Sequence, residues 1–108
     1  MTTGSYRQWD VWLANVKYED SPQIDKRPVL ILFSDKIVVY ALKMTRTPRD
    51  EDYPLQEWKS AGLNYPTTVR IKQRLHLLDR DFIHKLGRLH PADIIDIQMF
   101  MKESLQAR

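Results

Sequence analysis

The eight residues Lys26-Arg27-Pro28-Val29-Leu30-Ile31-Leu32-Phe33 constrain the fold more than any other part of the chain. A charged pair runs into a proline and then into five consecutive apolar residues. An unbroken apolar run of that length, with β-branched members, predicts a strand buried on both faces. Proline suits the first residue of such a strand, where its missing N–H breaks no ladder bond. Arg27 is therefore expected at the mouth of a strand rooted in the core. Its planar guanidinium fork matches phosphate oxygens. The competing reading is an ion pair with a neighbouring loop carboxylate, Asp25 or Glu19, and ion pairs of that kind outnumber catalytic arginines.

The rest of the chain fits around this strand. Residues 1–7 read as a flexible lead. Trp9 to Val16 predicts a first strand covered on both faces. Trp9 and Trp12 could serve as base-stacking platforms, although core and rim aromatics are the commoner outcome. Residues 17–26 form a polar loop with one proline, long enough to move. Strand two spans Arg27 to Phe33, and Ser34-Asp35-Lys36 is a tight turn. Strand three spans Ile37 to Leu42 and continues through Lys43-Met44-Thr45. So short a turn predicts antiparallel pairing, which places Arg27 and Thr45 at the same sheet edge.

Residues 46–54 are charged and proline-rich, a surface loop. Leu55 to Trp58 reads as a short strand, and residues 60–64 as a turn. Thr67 to Lys72 alternates as a further strand, with Thr68, Arg70 and Lys72 on one face and Arg74 extending it. Asp79 is placed to cap a short helix over Arg80–Leu86, with Phe82, Ile83 and Leu86 as its apolar stripe and Gly87 as its stop. Pro91 opens a last helix with Asp93 in its first turn. Ile94, Ile97, Met101 and Leu105 mark its buried face, while Ile95 and Met99 lie off that line and could meet a second protomer. The expected architecture is mainly β with a C-terminal helix, a small barrel or strongly curved sheet, folded as one domain over residues 1–108.

The chain has 108 residues, enough for one core, and no cysteine, which excludes disulfides and thiolate metal sites. No run approaches a membrane span and no secretory signal is evident, so a cytoplasmic location is expected. The net charge is +3, and the distribution of the cations says more than their sum. His76, His84 and His90 form no paired ligand motif and read as surface or capping residues, so no metal and no cofactor is expected. There is no glycine-rich phosphate loop and no Gly-x-Ser-x-Gly elbow. What remains is a cation–hydroxyl edge of Arg27, Thr45, Arg46 and Arg70. Such an edge can bind a phosphodiester and stabilise a phosphorane when RNA supplies its own 2′-hydroxyl nucleophile. Lys26, Lys72, Arg74 and Trp12 complete the candidate RNA-binding set.

These residues also carry a resemblance. Trp9-Asp10-Val11-Trp12-Leu13, Lys26-Arg27-Pro28-Val29-Leu30-Ile31-Leu32 and Lys43-Met44-Thr45 resemble, in order and spacing, the MazF/PemK (Kid) toxin family. Ala61-Gly62-Leu63, Thr67-Thr68-Val69-Arg70, Lys85-Leu86-Gly87-Arg88-Leu89 and Pro91-Ala92-Asp93 extend the likeness from about residue 6 to residue 105. The resemblance implies an SH3-like barrel shared with CcdB toxins, a homodimer, a cognate antitoxin partner, and metal-independent cleavage of single-stranded RNA. The implied products are a 2′,3′-cyclic phosphate and a 5′-hydroxyl. It also implies roles. Arg27 stabilises the phosphorane and can protonate the leaving oxygen, Thr45 positions the scissile phosphate, and Arg70 is a second phosphate ligand. Three positions depart from the family pattern. Trp9 stands where many members carry glycine, and Arg46 where a small polar residue often follows the threonine. Lys72 stands where some members carry an aspartate proposed as general base, which leaves the proton acceptor unassigned. A non-catalytic RNA- or protein-binding module on the same barrel, or a CcdB-like gyrase inhibitor, are the alternatives.

Overall fold

The computed structural model describes residues 6–17, 22–49 and 51–106, with side chains through residue 103. The first five residues of the expected lead over 1–7, the centre of the expected mobile loop at 18–21, Glu19 as an ion partner and the Leu105 contact lie outside the described residues, while Tyr6 of that lead is buried in the core. Among the described residues, six strands and one α-helix follow in order: β1 Asp10–Lys17, β2 Ile24–Ser34, β3 Val38–Thr45, β4 Tyr53–Pro54, β5 Thr68–Leu78, β6 Phe82–Arg88 and α1 Pro91–Gln106. They form one antiparallel sheet in the order β4-β5-β3-β2-β1-β6.

The first three residues of the apolar run, Val29 to Ile31, are buried on both faces as expected, whereas Leu32 is half-buried and Phe33 is exposed, its ring stacked on Tyr40. Val29 and Ile31 enter a cluster with Tyr6, Ala14, Val16, Val39, Ala41 and Leu77, while Leu30 enters another with Val11, Leu42, Met44, Val69 and Ile97. The β2–β3 hairpin is antiparallel, with Val29 opposite Lys43. Asp35 shapes its turn by accepting hydrogen bonds from the Ile37 and Val38 amides, both at 2.8 Å, and these bonds, Val38's first, hold its carboxyl below the usual range. One boundary differs from expectation. β2 starts at Ile24, so Pro28 is interior, opposite Leu13 of β1. The ladder to β3 begins only at Val29, so on that side a residue without an N–H breaks nothing.

The larger correction is β6. Residues 82–88 form a strand paired with β1, preceded by a single 3-10 turn at Asp79–Asp81, where a helix over 80–86 was expected. The register explains the misreading. Trp12 faces Lys85 while Val11 faces Gly87, and Leu13 faces His84 while Ala14 faces Phe82, so Leu86 and Ile83 are bulged. Two bulges abolish the alternation of a strand and leave Phe82 and Leu86 at helix-like spacing. Nor does Asp79 cap a helix: it accepts a hydrogen bond from the Tyr6 hydroxyl, while Asp81 accepts from the Leu78 amide at 2.8 Å. The expected strand at 55–58 is also absent. The short strand is Tyr53–Pro54, and turns follow it.

Those turns are fixed by α1. The fully buried Asp93 carboxylate accepts the Tyr53 hydroxyl at 2.8 Å and the Gln56 and Glu57 amides at 3.0 and 2.9 Å. Burial, then the Asp93 and Asp96 carboxylates, push the Tyr53 phenol above its usual value, so it stays a donor at neutral pH. Ile97 is fully buried and Ile94 and Met101 of the expected inner stripe pack beside it, as does Phe100, which the stripe did not include, while Ile95 and Met99 are exposed.

The sheet is drawn toward closure by backbone rather than by a ladder. Gly62, at φ +87°, lies against Leu86 and Gly87 of β6 so tightly that a Cβ on Gly87 would stand 2.4 Å from the Ala61 carbonyl oxygen. Gly87 is thus required by close approach, not as a helix stop. The same edge is stapled by the buried Asp10, which meets Arg88 at 3.1 Å and Lys85 at 3.4 Å. Gly87→Ala should lower stability by about 1–3 kcal/mol, read as a reduced urea midpoint, because only backbone movement can relieve the clash. An unchanged midpoint would mean that the 61–62 turn does not close the sheet.

Candidate functional site

Hairpin geometry brings the start of β2 and the end of β3 to one edge, and a groove of about 450 Å³ opens there. Its apolar floor is Leu13, Pro28, Met44 and Leu86. Lys26, Arg27, Thr45, Arg46, Gly62 to Tyr65, Thr67 and, from β6, His84 complete the lining. Three permanent cations line it and no carboxylate does, so the groove favours an anion.

Arg27, Thr45, Arg46 and Tyr65 are each held by a neighbour. Arg27 pairs with Asp25 at 3.2 Å, with 27% of its side chain exposed. Arg27 is therefore ion-paired, as the competing reading expected, and it also lines the groove. Thr45 is buried, and its hydroxyl oxygen accepts the Thr47 amide at 3.2 Å, which leaves its own hydrogen to donate. Its carbonyl accepts the Thr68 hydroxyl at 3.2 Å. The Arg46 guanidinium lies 4.3 Å from the centre of the Tyr65 ring, a cation–π contact that fixes both at the rim.

Four expected site residues lie elsewhere. Arg70 is buried beside Asp52, at 3.3 Å, and donates to the Thr47 carbonyl at 3.3 Å. It ties the 46–52 segment to β5 from behind and does not line the groove. Lys72 is exposed and bonds Glu51 at 2.8 Å, which lowers the Glu51 carboxyl below its usual value. Arg74 is exposed on β5 opposite Leu42. The β3–β5 register jumps from Leu42–Arg74 to Met44–Val69, so the strand face that sequence alternation shared out is broken between them. Trp12 packs against Tyr6 and Phe82, with ring centroids 4.9 and 5.7 Å away, in the cluster that includes Val29 and Ile31. It is a core aromatic and not a platform for bases, and the buried Trp9 likewise belongs to the core.

Sequence reasoning missed His84, Asn64 and Tyr65 as groove residues. His84 was hidden by the helical reading of its segment. The Tyr65-Pro66 pair after a turn was the available signal for an aromatic rim.

The family model of PemK-like, MazF-like toxins of type II toxin–antitoxin systems matches residues 7–105. The chain belongs to that family. Among solved structures, it is similar to an endoribonuclease in complex with its cognate antitoxin from a mycobacterial species, at 17% identity and TM-score 0.71, covering 95% of this chain and 97% of that one. It is also similar to the Mycobacterium tuberculosis toxin MazF-mt6, at 19% identity and TM-score 0.68, covering 88% of this chain and 96% of that one. At these identities the likeness shows the MazF fold alone, and it agrees with the antiparallel sheet and C-terminal helix. No curated protein matches the sequence. Among the described residues, no helix of this MazF-like chain is long and apolar enough to cross a membrane.

The buried Arg70–Asp52 pair yields a prediction. Asp52→Ala should destabilise the fold by about 3–5 kcal/mol, because it strands a buried guanidinium. Urea denaturation measures this, and a loss below about 1 kcal/mol would show that Arg70 is not held by that carboxylate.

Proposed function

We propose that the protein is the toxin of a type II toxin–antitoxin pair and acts as a metal-independent endoribonuclease on single-stranded RNA. The observation that carries this reading is the groove: Arg27 and Thr45 stand together at its rim, among further cations and without a carboxylate, in a chain of the MazF-like family. The RNA 2′-hydroxyl oxygen attacks the adjacent phosphorus, and the bond to the 5′-oxygen breaks. The products are a 2′,3′-cyclic phosphate and a 5′-hydroxyl. Charge builds on the non-bridging oxygens in the pentacoordinate state, where the Arg27 fork and the Thr45 hydroxyl can donate to them. Lys26 and Arg46 hold flanking phosphates, and the exposed Tyr65 ring offers a base a stacking surface. Arg70 acts as a positioning residue, because it fixes the segment that follows Thr45.

The fold behaves as one domain over residues 1–108. Exposed Ile95 and Met99 on α1 supply an apolar face for a second protomer. A cognate antitoxin inhibits by filling the groove with its own chain. With RNA as substrate, the site of action is the cytoplasm.

The test is cleavage of a long single-stranded RNA in EDTA, with end-group analysis. The wild type should make site-selective cuts with 5′-hydroxyl ends, and Arg27→Ala should cut at least 10²-fold more slowly while remaining folded. RNA binding without cuts by the folded wild type would favour the non-catalytic module instead.

A further inference from the structure

We infer that His84 is the proton acceptor for the 2′-hydroxyl in this groove, an inference that rests on the ribonuclease reading above. The position where some family members carry an acidic base is Lys72 here, and that ammonium is committed to Glu51 at 2.8 Å, outside the groove. Among the groups that do line the groove, Lys26, Arg27 and Arg46 are cations at neutral pH, and Tyr65 is a phenol. The imidazole of His84 is the lining group with a ring nitrogen whose lone pair can take up a proton.

Geometry supports the role. His84 is paired with Leu13, and Leu13 with Pro28, so the three residues lie abreast on β6, β1 and β2. Directly opposed residues point to one face, and all three line the groove. Two strand spacings separate β6 from β2, about 10 Å between backbones. Arg27, the neighbour of Pro28 and opposite Ala14, lines the same groove as His84, so a phosphodiester lodged there is within the space that both groups border. Neither ring nitrogen of His84 is bonded to a side chain or backbone group among the described residues, so the ring is not occupied in holding the fold. The two bulges on either side of the His84–Lys85 pair set where this strand face meets the groove.

In the step, an unprotonated ring nitrogen takes the 2′-hydroxyl proton as the oxygen–phosphorus bond forms. The bond from phosphorus to the 5′-oxygen breaks, and that oxygen receives a proton from water in the open groove. The imidazolium returns its proton to the hydroxide so formed. Nothing is oxidised or reduced, and no net proton is consumed. The charged and titratable groups that share the groove lining with His84 are Lys26 and Arg27 from β2, Arg46 beyond β3 and Tyr65.

The experiment measures kcat and KM for RNA cleavage against pH in wild type, His84→Ala, His84→Gln and the control His76→Gln, whose histidine lies outside the groove on β5. Expected are a 10²- to 10⁴-fold fall in kcat in both His84 variants with little change in KM, and loss of the rising limb of the pH profile across the imidazole range. His76→Gln should keep that limb, and added imidazole should restore part of the activity of His84→Ala. Wild-type cleavage with the limb intact in the His84 variants, or with kcat within about twofold of wild type, would overturn the role of His84 and leave the ribonuclease reading standing. Absence of cleavage by the folded wild type would overturn the ribonuclease reading, and His84's role with it.

Discussion

Two backbone segments meet without side chains between them, and much of the molecule depends on that contact. Ala61-Gly62 lies against Leu86-Gly87, at a distance where no Cβ fits on either glycine. The contact joins the turns beyond β4 to β6, which are opposite ends of the sheet order. Asp93 holds the same turns from α1 with three hydrogen bonds, and Asp10 holds β6 through Arg88 and Lys85. Gly62, Leu63 and Leu86 then become groove walls. Closure of the fold and construction of the site are thus one event, and two of the chain's three glycines serve it.

The site's chemistry follows from where charge is spent. Acidic groups near the groove are committed elsewhere: Asp52 neutralises Arg70 in the interior, Glu51 meets Lys72 at the surface, and Asp25 accompanies Arg27. The lining is left cationic, with a hydroxyl and an imidazole added. A phosphodiester entering this space would find donors already fixed by Asp25, by the Thr45 turn and by the Tyr65 ring, and preorganised donors are the ones that stabilise developing charge.

The central strands were legible because nothing competes with their patterns. Val29 to Ile31 has no alternative to a strand covered on both faces, and the short turn after the run fixed the Arg27–Thr45 edge. Other features depend on partners distant in sequence. Phe82 to Arg88 reads as helical because bulges at Ile83 and Leu86 erase its alternation, and His84 was lost with it. Arg70 alternates with Lys72 in sequence, yet one is buried and the other solvated, since Asp52 reaches only the first. Trp9 adopts φ +75°, a conformation natural to glycine. Here the indole's burial in the core, with backbone bonds to Ile31 and Leu89, offsets that strain.

The central claim is that this groove holds the scissile phosphate. The most direct measurement is a crystal structure with a single-stranded RNA whose scissile ribose is 2′-deoxy, so that it binds and cannot react. The account predicts one phosphate within hydrogen-bonding distance of both Arg27 and Thr45, with the 2′ carbon of its 5′ nucleoside turned toward His84. A strand bound across β5 along Lys72 and Arg74, with the groove empty, would contradict it.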